Sequence, residues 1–260
     1  MKYELIRYFY EKGVIDAILC IIVISNVMRL TSCRIRRILP GNIWSVWMFA
    51  GLQNIIFDLD GTLIDSSAGV IEATNYALLA VGENPRTPVE ITRYIGHPIE
   101  EMFASFCQAP MDQLKAAFQE KARFSVLSAA RPLAGVDLLL PRIHAHGYRL
   151  GIATTKFTIH TEGIVKKLGW SRYFSALASG DEVAHVKPAP DIVLLAMARL
   201  GGSPNDTIMV GDTSIDIQAA HGAGLKVIVI KSPFGNNDID IFKPELKLNS
   251  FDDLREVFGV

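Results

Sequence analysis

Cysteine is scarce. The 260 residues hold three, Cys20, Cys33 and Cys107, with no CxxC pair among them. An odd, widely spaced set supplies neither a disulfide framework nor the ligand spacing of a zinc site. Reduced thiols fit a cytoplasmic setting. A membrane-length aliphatic run is missing too. The uncharged aliphatic run at 17–28 has 12 residues, whereas a transmembrane helix needs about 20. Net charge is nearly absent: 26 Lys and Arg oppose 27 Asp and Glu, leaving −1. That excludes a generally basic nucleic-acid binder. No internal repeat or low-complexity tract is visible. What remains is 50% apolar and 20% charged, the balance of a chain with a real core, not a disordered one. At this length a core needs no disulfides.

The small net charge averages two unlike pieces. Residues 1–47 carry seven basic and three acidic side chains, a net +4, so residues 48–260 carry −5. A secretory signal would place a small-residue cleavage site after its apolar run. Here Val27-Met28-Arg29-Leu30 follows, so no cleavage is expected. Three readings stay open for this segment. It is a short membrane-associating helix, a helix packed on the rest of the protein, or translated upstream sequence ahead of a true start at Met48. Basic residues flank the run on both sides, so no orientation in a membrane follows.

From residue 52 the pattern becomes regular. LQNIIFDL at 52–59 reads as a buried strand running into a loop. Val70, Ala73, Ala77 and Val81 recur at helical spacing, which predicts an amphipathic helix over 66–81. Further helices are expected around 88–95, 98–107 and 110–128, without strand-like alternation between them. Arg131-Pro132-Leu133-Ala134-Gly135 reads as a boundary. Helices at 135–146, 158–168, 189–200 and 213–222 then alternate with strands at 149–154, 176–179, 207–210 and 225–230. Such alternation predicts an α/β fold, a doubly wound parallel sheet with helices on both faces. The helical block interrupts it as an insertion. The expected organisation is an extension at 1–47, core at 48–65, helical cap at 66–131 and core again at 132–260.

Ligands of open parallel sheets bind beyond the carboxyl ends of the strands. Those ends bear Asp58, Asp60 and Thr62; Thr154, Thr155 and Lys156; Gly180-Asp181-Glu182, with Lys187 soon after; and Asp212, Thr213 and Asp216. Four carboxylates and a lysine converging on one spot make chemical sense around a divalent cation and an anion. Hard oxygen ligands suit Mg²⁺. Threonine hydroxyls, an ammonium and loop N–H groups suit phosphate oxygens. Two carboxylates two residues apart on a strand end are expected to project to the same side, so one can attack phosphorus while the other handles the leaving-group proton.

These residues carry a family resemblance. DLDGTLIDS at 58–66 resembles the first signature of the haloacid dehalogenase superfamily of phosphohydrolases. IATT at 152–155 is similar to the second, Lys187 in KPAPD to the third, and GDTSIDI at 211–217 to the fourth. Their order, and the helical insertion, resemble the helical-cap branch with its Rossmann-like core, over about residues 48–260. The resemblance implies that Asp58 is the nucleophile and forms an aspartyl-phosphate. It implies that Asp60 is the acid and base, and that Thr154, Thr155 and Lys187 hold phosphate. The implied metal is Mg²⁺, held by Asp58, the Asp60 carbonyl and Asp212, with Asp216 supporting that shell or orienting Lys187. An acid at Asp60 points to phosphate chemistry, since dehalogenase members lack it. The stretch 149–224 most resembles the phosphoglycolate phosphatase group and is also similar to pyrophosphatase members whose second motif reads TTK. The expected activity is therefore hydrolysis of a small phosphorylated metabolite, with a pyrophosphatase or another sugar or nucleotide phosphatase as the alternative. A membrane-tethered or partner-binding protein on this fold is the third reading. No nucleic-acid partner is expected. The loop Tyr94-Ile95-Gly96-His97-Pro98 between two cap helices is a candidate for substrate contact.

Overall fold

The computed structural model describes Phe49, residues 51–234 and residues 238–260. The segment 1–47, with its apolar run, and Met48 lie outside the described residues. Residues 52–254 form one compact unit, and the candidate site lies wholly within it. The second unit is described only at Phe49, Gly51 and residues 255–260.

Strand β1, Asn54–Phe57, is buried along its whole length. Its sequence NIIF explains this, because a central parallel strand is covered on both faces and reads apolar throughout. It pairs in parallel with β4 (Arg149–Ala153) on one side and β6 (Thr207–Gly211) on the other. Outside them stand β5 (Phe174–Ala178), β7 (Lys226–Ile230) and β8 (Leu246–Leu248). The order β5-β4-β1-β6-β7-β8 makes a six-stranded parallel sheet, with the switch of winding direction at β1. Phe57 is in register with Ile152 and with Val210. The chain positions just beyond the ends of β1, β4 and β6 are therefore neighbours, and Asp58, Thr154 and Asp212 occupy them.

Alternate residues of β1 feed two cores. Ile56 joins Met209, Val227 and Val229 in a layer with Ile192, Val193 and Ala196 of α7 (Asp191–Arg199) and Ala219 and Ala220 of α8 (Ser214–Gly222). Phe57 instead meets the edge of Phe174 at 6.4 Å between ring centres. Helices α5 (Val136–Ala145) and α6 (Thr158–Lys167) complete the core elements ahead of α7. The doubly wound α/β reading holds, with most element ends shifted by one or two residues. Among the described residues no helix is long and apolar enough to cross a membrane.

Four helices, α1 (Ser67–Ala80), α2 (Pro88–Thr92), α3 (Ile99–Phe106) and α4 (Met111–Ala129), stand between residues 65 and 131, after β1 and ahead of α5. Gly69 lets α1 and α4 touch backbone to backbone. A Cβ there would lie 2.4 Å from the Ser125 carbonyl oxygen, and the Ser125 hydroxyl donates to the Gly69 carbonyl at 3.0 Å. Where the chain leaves the sheet layer and where it returns, β2 (Ile64–Asp65) and β3 (Arg131–Pro132) pair as a short antiparallel ribbon. Two-residue strands are too short to show a period in the sequence.

Candidate active site

The site is built from four strand-end loops around one buried ammonium. Lys187 is 1% exposed. Its Nζ donates to Asp58 Oδ1 at 2.5 Å, to Asp216 Oδ1 at 2.7 Å and to the Ala153 carbonyl at 3.2 Å. Burial opposes its charge, yet Asp216 and Asp58 outweigh that and hold the ammonium above its ordinary pKa. The lysine therefore stays charged and fixes the Asp58 carboxylate in one orientation.

Asp216 is held from both sides. Its Oδ2 accepts from the Thr213 hydroxyl at 2.7 Å, the Thr213 N–H at 3.0 Å and the Asp212 N–H at 3.2 Å. This is the capping box of α8, with Thr213 as N-cap and Asp216 in the first turn. Burial disfavours its charge, but Lys187 more than offsets this and keeps its pKa low. Every oxygen of Asp216 is thus engaged by protein.

Asp212 differs. Its Oδ1 accepts from Thr62 at 2.7 Å, while its Oδ2 is buried without a partner. Asp58 Oδ2 is likewise buried and unpartnered. One oxygen from each of Asp58, Asp212 and Asp216 can be chosen so that all three lie within 4.8 Å of one another. Three buried carboxylates around one ammonium leave two negative charges in excess. Burial pushes the Asp58 carboxyl up to about 7 against the pull of Lys187, and burial with Asp216 and Asp58 raises that of Asp212. A divalent cation meets both demands, the excess charge and the orphaned oxygens. The donor set is all oxygen, which fits Mg²⁺ or a similar hard ion.

Gly61 shapes the same corner. Its φ is +85°, and a Cβ there would stand 2.3 Å from Asp212 Oδ2. Only glycine combines that backbone conformation with that approach.

Asp60 points elsewhere. Strand β1 ends at Phe57, and the chain turns before the alternation reaches residue 60. The Asp60 carboxylate accepts from Ser66 at 2.5 Å and pairs with Lys156 at 2.8 Å, outside the Asp58–Asp212–Asp216 triad. Its side chain faces the helical block. Thr154 is buried beside the lysine-bound Ala153 carbonyl, and its hydroxyl accepts from the Lys156 N–H at 3.2 Å. Thr155 turns away: its hydroxyl donates to the Gly96 carbonyl at 3.1 Å, joining the loop after β4 to the loop between α2 and α3. That loop, through Tyr94, Ile95, Gly96 and His97, lines a cavity with Asp60 and Lys156. Thr62, Lys156 and Thr213 stand at the strand ends as the sequence places them, and Ser66 joins them from the end of the first motif. All four lie within or beside the quoted motifs, which was the available signal.

Sequence and structure comparisons place the chain in a family. Residues 55–230 match the profile of the haloacid dehalogenase-like hydrolases. A phosphoglycolate phosphatase of Mesorhizobium japonicum is 30% identical over 208 residues, covering 77% of this chain and 92% of that protein. The pyrophosphatase PpaX of Halalkalibacterium halodurans is 28% identical over 210 residues, covering 80% and 98%. The structure of CbbY from Rhodobacter sphaeroides, solved in complex with phosphate, superposes with a TM-score of 0.67 at 26% identity, covering 78% and 96%. The profile spans well over half of the chain and takes in β1, β4 and β6 with all the carboxylates and the lysine described above. The chain belongs to the haloacid dehalogenase-like hydrolases.

Proposed function

We propose that this chain is a Mg²⁺-dependent phosphatase, a phosphoric monoester hydrolase acting in the cytoplasm on a small phosphorylated metabolite such as 2-phosphoglycolate, through an aspartyl-phosphate on Asp58. One observation carries the reading. A buried ammonium holds one oxygen of Asp58 and leaves the other free, beside a second carboxylate oxygen on Asp212 that is also free.

Asp58, Asp212 and the Asp60 carbonyl would hold the cation, while Asp216 positions Lys187. When bound, the cation supplies charge neutralisation and Lewis-acid polarisation of the phosphoryl group. Asp58 attacks phosphorus, forming its O–P bond as the ester P–O bond breaks. Asp60, after taking a proton from solvent in place of its ion pair with Lys156, gives that proton to the departing oxygen. Lys187 and the Thr154 hydroxyl stabilise charge on the phosphoryl oxygens. Asp60 then takes a proton from a water whose oxygen attacks phosphorus, and the Asp58–phosphorus bond breaks to release phosphate. The groups needed for each proton and each charge come from four loops held by one sheet, so little reorganisation is required. Helices 67–129, reached through the ribbon, form a cap that closes the leaving-group side.

A panel of phosphate monoesters and pyrophosphate, assayed with Mg²⁺, tests this. 2-Phosphoglycolate is expected to lead the esters, and sugar and nucleoside phosphates to trail. Turnover of pyrophosphate alone would replace the phosphoglycolate reading by the pyrophosphatase one, which the PpaX relative favours. No turnover of any substrate would refute both.

A further inference from the structure

Asp60 and Lys156 also border a second chamber beside the phosphoryl site. Between the helical block and the loop after β4 lies a cavity of about 50 Å³. Ile95, Met102, Phe118 and Phe157 give it apolar walls, and Asp60 and Lys156 are its charged residues. One water needs at least ~10–15 Å³ of such space, so a group of a few non-hydrogen atoms fits.

Two histidines also face the chamber. His97 pairs with Glu101 at 3.2 Å. Burial, helped by Lys156, pushes His160 down to about 4, so its ring is neutral. Lys156 is then the chamber's standing cation. Its side chain is 9% exposed, and Asp60 at 2.8 Å is its one salt-bridge partner among the described residues. An ammonium has three donors. Asp60 has already given its other oxygen to Ser66. A nearly dehydrated ammonium with donors to spare, in an apolar chamber, favours a second anion strongly.

We propose that Lys156 is a specificity-determining residue that reads a second, compact anionic group on the leaving side of the substrate. The inference rests on the phosphatase reading above and names its substrate class. The carboxylate of 2-phosphoglycolate and the second phosphoryl group of pyrophosphate share the required chemistry. An uncharged leaving group of equal size gives Lys156 nothing new to bind, and the ion pair keeps hold of Asp60.

The test is a selectivity ratio: kcat/KM for 2-phosphoglycolate or pyrophosphate, divided by kcat/KM for ethyl phosphate. Wild-type protein is expected to show a ratio of at least about 30 for one anionic substrate or both. Lys156→Met is expected to lower that ratio at least about 10-fold, chiefly by raising KM for the anionic substrate. Lys156→Arg is expected to keep part of the preference, because the charge remains. A fall confined to one anionic substrate assigns the anion as carboxylate or phosphoryl. If Lys156→Met slows both classes alike, the lysine acts on Asp60 alone and the proposal is overturned. A wild-type ratio near one overturns it without any variant. Failure of wild-type protein to hydrolyse either class overturns the phosphatase reading, and the proposal with it.

Discussion

Replacing Asp58 with Asn is expected to lower kcat by at least about 10⁴-fold, with the fold intact. The substitution keeps the side chain's size and leaves an oxygen to accept from Lys187. It removes the free carboxylate oxygen that attacks phosphorus. No other carboxylate is placed to take over: the free oxygen of Asp212 is assigned to the cation. Asp216 is fully engaged by Lys187, Thr213 and the Asp212 N–H, and Asp60 is turned toward Lys156 and Ser66. Steady-state assays with the best substrate of the panel give the loss. Thermal denaturation checks that the variant is folded. Retention of full activity would exclude Asp58 as the nucleophile.

Asp212→Asn should weaken Mg²⁺ binding at least about 100-fold, a larger effect than loss of an outer-shell partner, and yet should not destabilise the metal-free protein. The two effects have one cause. Ionising all three carboxylates of the metal-free site would bury two excess negative charges, and removing one acid relieves the burial cost and the repulsion with Asp216 and Asp58. The Asn side-chain oxygen still accepts from Thr62. Thermal denaturation over a Mg²⁺ titration separates the effects. In wild-type protein Tm rises with added Mg²⁺, because the ion binds only the folded state. In the variant the metal-free Tm is equal or higher, and the rise is displaced to higher concentration. The pH dependence follows with a definite sign. The Asp58 carboxyl binds its proton more tightly in the folded state, with its pKa raised from 3.8 to about 7. Its contribution to metal-free stability is present at low pH and is lost as pH rises through that window. Mg²⁺ competes with the same proton, so the Mg²⁺-induced rise in Tm grows as pH increases toward 7.

Much of this was legible in the sequence because the chemistry sits in short local patterns. NIIF followed by DLDGT is a buried strand and a turn in nine residues, and the structure keeps it so. The alternation of helix and strand after residue 132 dictates the parallel sheet, and the sheet dictates that its strand ends meet. Other features were legible only through family resemblance. Lys187 lies 129 residues from Asp58, and alone before Pro188 it reads as an ordinary surface lysine. Its burial depends on contacts with two loops that no local pattern encodes. The direction of Asp60 was hidden for a different reason. Spacing of two suggests a shared face only while a strand continues, and here the strand ends first. The β2–β3 ribbon, β8 and the helix Phe251–Phe258 went unread. The strands among them have two or three residues, and pairing decides their state more than sequence does. Lys156 was visible as the last letter of TTK, but its place under the helical block needed coordinates.

The account turns on a phosphoryl group passing through Asp58 before it reaches water. The stereochemical course at phosphorus tests this most directly, using a phosphorothioate analogue of the substrate made chiral with one oxygen isotope and hydrolysed in water carrying another. Transfer to Asp58 and then to water is two in-line displacements, so the account predicts net retention of configuration. Net inversion would mean a single direct attack by water and would contradict it.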